Sequence, residues 1–449
     1  MEKKQHDDLL AIGFMLFSLF FGAGNLIFPP WLGKLAGVKT FEAMLGFTIT
    51  AVILPVLGVI AVAKTEGITA LSARVSKRFS IIYPVLILFA IGPGLAIPRA
   101  GSVPFEMAIA PYVPETFSLS VARLIYTAIF FGWSYWICTH PGVIIDHMGK
   151  ILTPILILLI VALFAGSFFF PSHTYPQPQE IYAQKPAFVQ GFLEGYLTMD
   201  ALASLVFGLV IFNMIYKRSG GTDSAKKDMK RVFISTSKAA LIAGSVLLLI
   251  YAMLAHLGAI SEKVFVDAKN GAQILQLMTD HIFGFTGAFI LAAIFTLACL
   301  TTCVGLIVSI SDYFYERFPK VPYKVFVGIW TFISFVFANF GLDVILGYSV
   351  PILTVLYPAS IVLIILPFLE PLVQSDKLVY RTTVGIAGVI SLVMLLESLG
   401  IRGAFFTPFH KLPFYPTGLG WVLPTIIGFA LTLPAAMLKR KKKLTRACN

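Results

Sequence analysis

Charge is what this chain has least of. Lys, Arg, Asp and Glu together make up 12% of its 449 residues, about half of the ~25% found in an ordinary soluble domain. With 58% hydrophobic residues and 40 phenylalanines, that scarcity excludes a soluble globular protein, whose core could not hide so much apolar surface. Cysteine is equally sparse. Cys138, Cys299, Cys303 and Cys448 are the whole set, too few for a disulfide scaffold. Cys299 and Cys303 share a helical face, yet no His or acidic residue stands near them in sequence, so they read as small apolar packing residues. No H-E-x-x-H, G-x-S-x-G or Walker pattern occurs, which removes ATP hydrolysis as an energy source from within this polypeptide.

What the chain does have is apolar runs long enough to cross a bilayer, which needs about 20 residues per helix. About twelve are expected: 9–33, 38–63, 80–105, 118–138, 148–170, 188–214, 232–257, 283–311, 323–340, 343–369, 378–398 and 418–438. The connections between them are short, leaving no room for an inserted soluble domain. The net charge of +12 lies in short clusters between these runs, a pattern that orients membrane helices and does not make a nucleic-acid surface. Counting Lys and Arg alternately puts 25 on one side and 9 on the other. The sequence therefore predicts an even number of spans with both termini cytoplasmic. The first run is read as a retained span: Asp7 and Asp8 spoil a signal-peptide n-region, and the run continues through Asn25 and Pro29-Pro30. The tail 439–449 is a basic cytoplasmic flank.

Gly and Pro interrupt particular spans. The first is broken at Gly22-Ala23-Gly24-Asn25 ahead of Pro29-Pro30, the third carries Gly92-Pro93-Gly94 and Pro98, and the sixth holds Gly195-Tyr196-Leu197-Thr198-Met199-Asp200. Irregular backbone at membrane depth is tolerated where it lines a cavity. Breaks in spans one and six are what an inverted five-plus-five repeat would have, with halves 9–170 and 188–369 followed by two further spans over 378–438. Pro29 is expected to keep the helix from resuming before it.

Three groups of residues can carry chemistry. Freed amides at the first break, backed by a helix N-terminus, suit a carboxylate, and carbonyls of the preceding half-helix suit a small cation; close helix packing is the plainer use of such glycines. Asp200 falls near mid-membrane, where a carboxylate costs about 2.5–3.5 kcal/mol on insertion scales and usually faces a cavity or a partner. Proton transfer, cation binding, attraction of a substrate ammonium, or an ion pair with Arg99 or Lys150 would each account for it. Glu194 is read as nearer the surface and solvated. In the eighth span Ala298, Thr301 and Thr302 follow i, i+3, i+4 spacing, so two hydroxyls and a carbonyl share one face; back-bonding of Thr to its own helix is the alternative. His256 reads as hydrogen-bonded filler. An intramembrane enzyme would need His and carboxylates clustered at one depth, and the sequence offers no such cluster, so the chain is read as a transporter and not an enzyme. A channel or a transporter-like sensor remains as the competing class.

The stretch from Ile12-Gly13-Phe14-Met15 through Phe21-Gly22-Ala23-Gly24-Asn25-Leu26-Ile27-Phe28-Pro29-Pro30 resembles the start of the LIV-II branched-chain amino acid carriers of bacteria. Pro98-Arg99-Ala100, Ser102-Val103-Pro104-Phe105-Glu106, Gly195 through Asp200, Ala298-Cys299-Leu300 with Thr302, and Pro351-Ile352-Leu353-Thr354 before Tyr357-Pro358 continue the match, from about residue 9 to 435. That resemblance implies a multi-pass protein of the bacterial inner membrane with an all-α LeuT-type fold of twelve helices. It implies import of leucine, isoleucine and valine by alternating access, with sodium as coupling ion and no cofactor. The partners implied are the substrate and the lipid bilayer, with no nucleic acid and no obligatory protein. By a more distant similarity to neurotransmitter-sodium symporters, Gly22, Ala23 and Gly24 would hold the substrate carboxylate. Asn25, Tyr196, Leu197, Thr198 and Asp200 would complete the substrate site, and Ser18, Phe21, Ala298, Thr301 and Thr302 would surround sodium. Leu26-Ile27 stand where that signature has a Trp/Leu-Arg pair before Phe-Pro, so its outer-gate arginine is not matched there, and Arg99 is the candidate substitute. Phe20, Ile91, Leu95, Tyr196, Leu197 and Phe207 form the apolar surroundings that branched aliphatic side chains need. A proton-coupled permease working through Asp200 is the nearest alternative.

Overall fold

A computed structural model describes residues 2–140, 153–169, 174–218 and 225–448, apart from residues 263 and 402. Among the described residues all regular structure is helical, as a bilayer demands of a chain that must satisfy its backbone polar groups internally. Among the described residues seven helices are long and apolar enough to cross a membrane, and a bent pair makes an eighth; four shorter apolar helices, Leu9–Phe20, Thr153–Phe169, Tyr323–Ala338 and Val422–Leu438, accompany them. Together they fall on every one of the expected apolar runs. Lys150 lies outside the described residues.

The first span is two helices, Glu2–Phe20 and Ala23–Ala36. Helix resumes at Ala23 and runs through Pro29 and Pro30, so the expectation that Pro29 delays it is corrected. Each proline removes one intrahelical donor, and neighbours in a packed bundle absorb that loss. The third span is interrupted by a wide turn over Ala90–Gly94 with Gly92 outside helical geometry. The sixth is Ala187–Glu194, a tight turn Gly195–Thr198, and Asp200–Arg218, bent by 44°.

The packing is reciprocal. Both halves of the first span lie on the helix Ala225–Ser261, and both halves of the sixth lie on the second span, Thr40–Thr65. Spans three and eight pack directly on each other, as do spans four and nine. Glycine permits the closest of these approaches. A Cβ at Gly33 would strike the Ala255 carbonyl and one at Gly258 the Pro30 carbonyl, while Gly46 and Gly191 stand in the same relation to Phe188 and Ala43. Small residues let membrane helices approach this closely in the absence of a hydrophobic force between them. Gly258→Val is expected to destabilise the purified protein by about 1–3 kcal/mol, the usual cost of overpacking. The melting temperature in detergent checks it, and an unchanged value would mean that the first span does not depend on this seam.

Candidate functional site

At the first break Gly22 is extended, and its N–H donates to Asn25 Oδ1 at 3.0 Å. The side chain of Asn25 thus reaches back to hold the turn. Its Nδ2 donates to Asp200 Oδ2 at 2.6 Å and also to the Tyr251 hydroxyl, and Tyr251 in turn donates to Asp200 Oδ2 at 2.8 Å. Three spans therefore meet at one carboxylate, and all three side chains are buried. Ala23 and Gly24 are the first two residues of the second half-helix, so their N–H groups have no intrahelical acceptor.

At the sixth-span break Met199 adopts a left-handed φ of 64°, a conformation that non-glycine residues seldom take and that clusters at functional sites. Thr198 Oγ1 donates to the Gly195 carbonyl at 3.0 Å and accepts from the Asp200 N–H at 3.4 Å. Asp200 opens the second half-helix, where a negative charge suits the dipole. The Leu197 carbonyl, released by the turn, accepts from Arg99 Nη1 at 2.8 Å. Arg99 comes from the third span just after its own break, and its guanidinium lies over the Phe28 ring at 5.3 Å. Gly22 to Asn25, Thr198, Asp200, Arg99, Phe20, Ile91, Phe207 and Thr302 enclose a cavity of about 30 Å³, room for about one water molecule. The breaks are thus closed on themselves, and a branched side chain needs them to part.

A vestibule of about 940 Å³ lies above, walled by Phe28, Trp31, Glu194, Tyr196, Leu197 and Leu353 and opening among Lys185, Lys269 and His410. Phe28 and Leu197 touch Arg99, which makes that contact its floor. At the far end of the bundle Arg74 pairs with Glu370 at 2.7 Å and donates to Tyr380 at 2.9 Å, and Lys64 donates to the Pro367 carbonyl at 2.6 Å.

The eighth span meets the other side of the first break. Thr302 Oγ1 faces the carbonyls of Phe21 at 3.2 Å and Ser18 at 3.4 Å. Thr301 Oγ1 lies 3.4 Å from the Ser18 carbonyl and 2.7 Å from that of Ala298. Thr301 thus donates within its own helix to Ala298, and the two hydroxyls share the Ser18 carbonyl, with Thr302 also at Phe21. The contacts between the two spans are longer than the about 2.7–2.8 Å usual for O–H···O, so these hydroxyls can turn their lone pairs to a hard cation, which prefers oxygen ligands.

Some sequence expectations change on contact with this geometry. Glu194 is buried at the vestibule wall, with Oε1 accepting from Gln190 at 3.4 Å, because its half-helix packs tightly onto the second span through Gly191. Asp200 makes hydrogen bonds instead of an ion pair: no charged nitrogen among the described residues lies within 4.0 Å of it. Asn25 spends its amide inside the protein, and Tyr196 stacks on Tyr357 at 4.1 Å on the vestibule side. Leu95 is fully buried without lining the cavity. His256 bonds Tyr175 at 2.7 Å. Tyr251 was not legible as a site residue, since one tyrosine in an apolar run carries no local signal.

The branched-chain amino acid transport protein family matches residues 5–439. The branched-chain amino acid permease BraB of Bacillus subtilis is 41% identical over 436 residues, covering 95% of this chain and 96% of that protein. The branched-chain amino acid transport system 2 carrier protein of Pseudomonas aeruginosa is 38% identical over 437 residues, covering 97% and 98%. This chain belongs to that family. It is a multi-pass membrane protein of a transporter family, not an enzyme. Solved structures place the fold. Mhp1, a nucleobase-cation-symport-1 family transporter in a closed conformation, aligns with a TM-score of 0.60 at 14% identity over 97% of this chain and 93% of its own. A Na⁺-coupled sialic acid symporter aligns at 0.56 with 14% identity, over 95% and 90%. The fold of this family member is thus of the LeuT type.

Proposed function

We propose that the chain is a sodium-coupled symporter that imports leucine, isoleucine and valine by alternating access. The observation that carries this reading is the convergence of the Thr301 and Thr302 hydroxyls on carbonyls freed by the first break. An ion held there fastens the eighth span to the first, and its absence loosens them, so ion binding and the state of the substrate cavity are coupled. The substrate carboxylate would lie on the Ala23 and Gly24 amides, with Thr198 and Asp200 near its ammonium group. Phe20, Ile91 and Phe207 would take the branched side chain. One methylene in such a pocket is worth about 1–3 kcal/mol, so all three amino acids enter. The charge bias assigns the vestibule to the outer face and both termini to the cytoplasm, and the reciprocal packing supports reading 9–170 and 188–369 as inverted halves. Similarly named relatives, the permease BraB among them, support the substrate class.

Uptake of labelled leucine into proteoliposomes tests the coupling. Accumulation driven by an inward sodium gradient with no proton gradient is the expected result. Accumulation driven by protons alone would move coupling to Asp200, which the buried hydrogen bonds from Asn25 and Tyr251 make the natural rival. Asp200→Asn probes the residue itself. It is expected to lower the uptake rate at least about tenfold, because an amide cannot accept two donors at Oδ2 and leave its own N–H₂ satisfied. Unchanged rate and sodium dependence would make the residue purely structural.

A further inference from the structure

We infer that Arg99 is the residue that reads the substrate carboxylate. This rests on the function proposed above and names a side chain of the third span as part of its site. Arg99 is buried, with 3% of the residue's surface exposed. No carboxylate oxygen among the described residues lies within 4.0 Å of it. Asp200, in the same cavity, is taken by Asn25 and Tyr251. Among the described residues, one of the five N–H donors of the fork has an acceptor, the Leu197 carbonyl, and the buried Nε has none. A charge removed from water this thoroughly is normally paired. Here the protein supplies a carbonyl and an aromatic face in contact and Asp200 in the same cavity, with no carboxylate among the described residues in direct reach of the fork.

The position says which anion. The Arg99 guanidinium stands so close to Gly24 that a Cβ there would fall on Nη2. A carboxylate seated on the Ala23 and Gly24 amides therefore lies directly beside a planar fork that matches its two oxygens. The Phe28 ring lies 5.3 Å from the guanidinium carbon, a cation–π neighbour of the fork. The opposite charge, Asp200, lines the same cavity, so the site presents one cation and one anion to a zwitterion. In the closed arrangement seen here the fork instead holds the Leu197 carbonyl, tying the third span to the sixth-span break. An arriving carboxylate replaces that acceptor, so substrate binding releases the turn Gly195–Thr198 and the vestibule floor made by Phe28 and Leu197. A free carboxylate is thus obligatory, and an amino alcohol of the same shape is rejected.

The test compares leucine with leucinol, in which CH₂OH replaces the carboxylate, as competitors of labelled leucine in proteoliposomes. In the parent protein leucinol is expected to compete at least about 100-fold less well, the scale of losing one partner of a buried charge pair. In Arg99→Gln the affinity for leucine should fall about 100-fold, and the leucine-to-leucinol ratio should collapse to within about fivefold. Arg99→Lys, which keeps the charge and loses the fork, should reduce the ratio at least about tenfold, and it decides the matter if the Gln variant cannot be purified. A parental ratio retained in either variant overturns the proposal, and so does equal weakening of both ligands, which would make Arg99 a latch only. Failure of the parent protein to take up leucine under any gradient would instead fail the proposed function. In that case equilibrium binding of the same two ligands still reads the ratio.

Discussion

Gly24→Leu is expected to lower leucine uptake more than about 100-fold while leaving the protein in the membrane. A Cβ at this position would strike Arg99 Nη2 and lie 3.0 Å from its Cζ and 3.2 Å from the Leu197 carbonyl. Neither neighbour can retreat freely, since the guanidinium lies by the Phe28 ring and holds the Leu197 carbonyl, which belongs to a turn with a left-handed Met199. The larger side chain would also fill a cavity of about 30 Å³ and shield the amides beneath it. Membrane insertion should be unaffected, because leucine is among the most favourable residues in hydrocarbon. Transport in proteoliposomes, set against the amount of protein extracted from membranes, separates the two effects. Normal uptake would remove the first break as the substrate site, and Gly24→Ala should fall between the variant and the parent.

Thr301→Val with Thr302→Val is the second large effect, expected to abolish stimulation of uptake by sodium. Valine keeps the shape of threonine and deletes only the hydroxyl, so the eighth helix should stay where it is. Each single variant should raise the sodium concentration for half-maximal uptake at least about tenfold, equivalent to about 1.4 kcal/mol, close to what a hydrogen bond to a charged group contributes. The double variant leaves only the carbonyls of Ser18, Phe21 and Ala298, too few oxygens to replace a hydration shell. Uptake measured across a sodium titration reads this directly. An unaltered sodium dependence would dissolve the proposed ion site and return attention to Asp200.

The positions of the breaks were legible because they are written in local chemistry. Gly22 and Gly24, Gly92-Pro93-Gly94 and the run ending in Asp200 stand out against uninterrupted apolar helix, and each coincides with a departure from helical geometry. The oxygens near Thr301 were legible in part: the i, i+3, i+4 spacing of Ala298, Thr301 and Thr302 puts two hydroxyls and a carbonyl on one face, whereas Ser18 and Phe21 came only from family resemblance, and threonines in such helices otherwise read as back-bonded. Glu194 and Pro29 show where local reasoning misleads. A carboxylate near the end of a span looks solvated until a neighbouring helix is packed against it. Likewise a proline looks like a helix stop until the bundle absorbs the lost hydrogen bond.

The membrane environment and the all-helical build follow from composition and run length alone, because a bilayer leaves a long apolar segment one economical way to satisfy its own backbone. The points of interruption follow equally from Gly and Pro. Which groups meet at those interruptions does not. Asn25 reaches Asp200 across 175 residues, Arg99 reaches the Leu197 carbonyl across 98, and Thr301 reaches the Ser18 carbonyl across 283. These pairings exist because helices approach closely along glycine seams and carry their buried polar groups to one depth, where each must find a partner or await one. That convergence is a property of the packed bundle, and no window along the chain contains it.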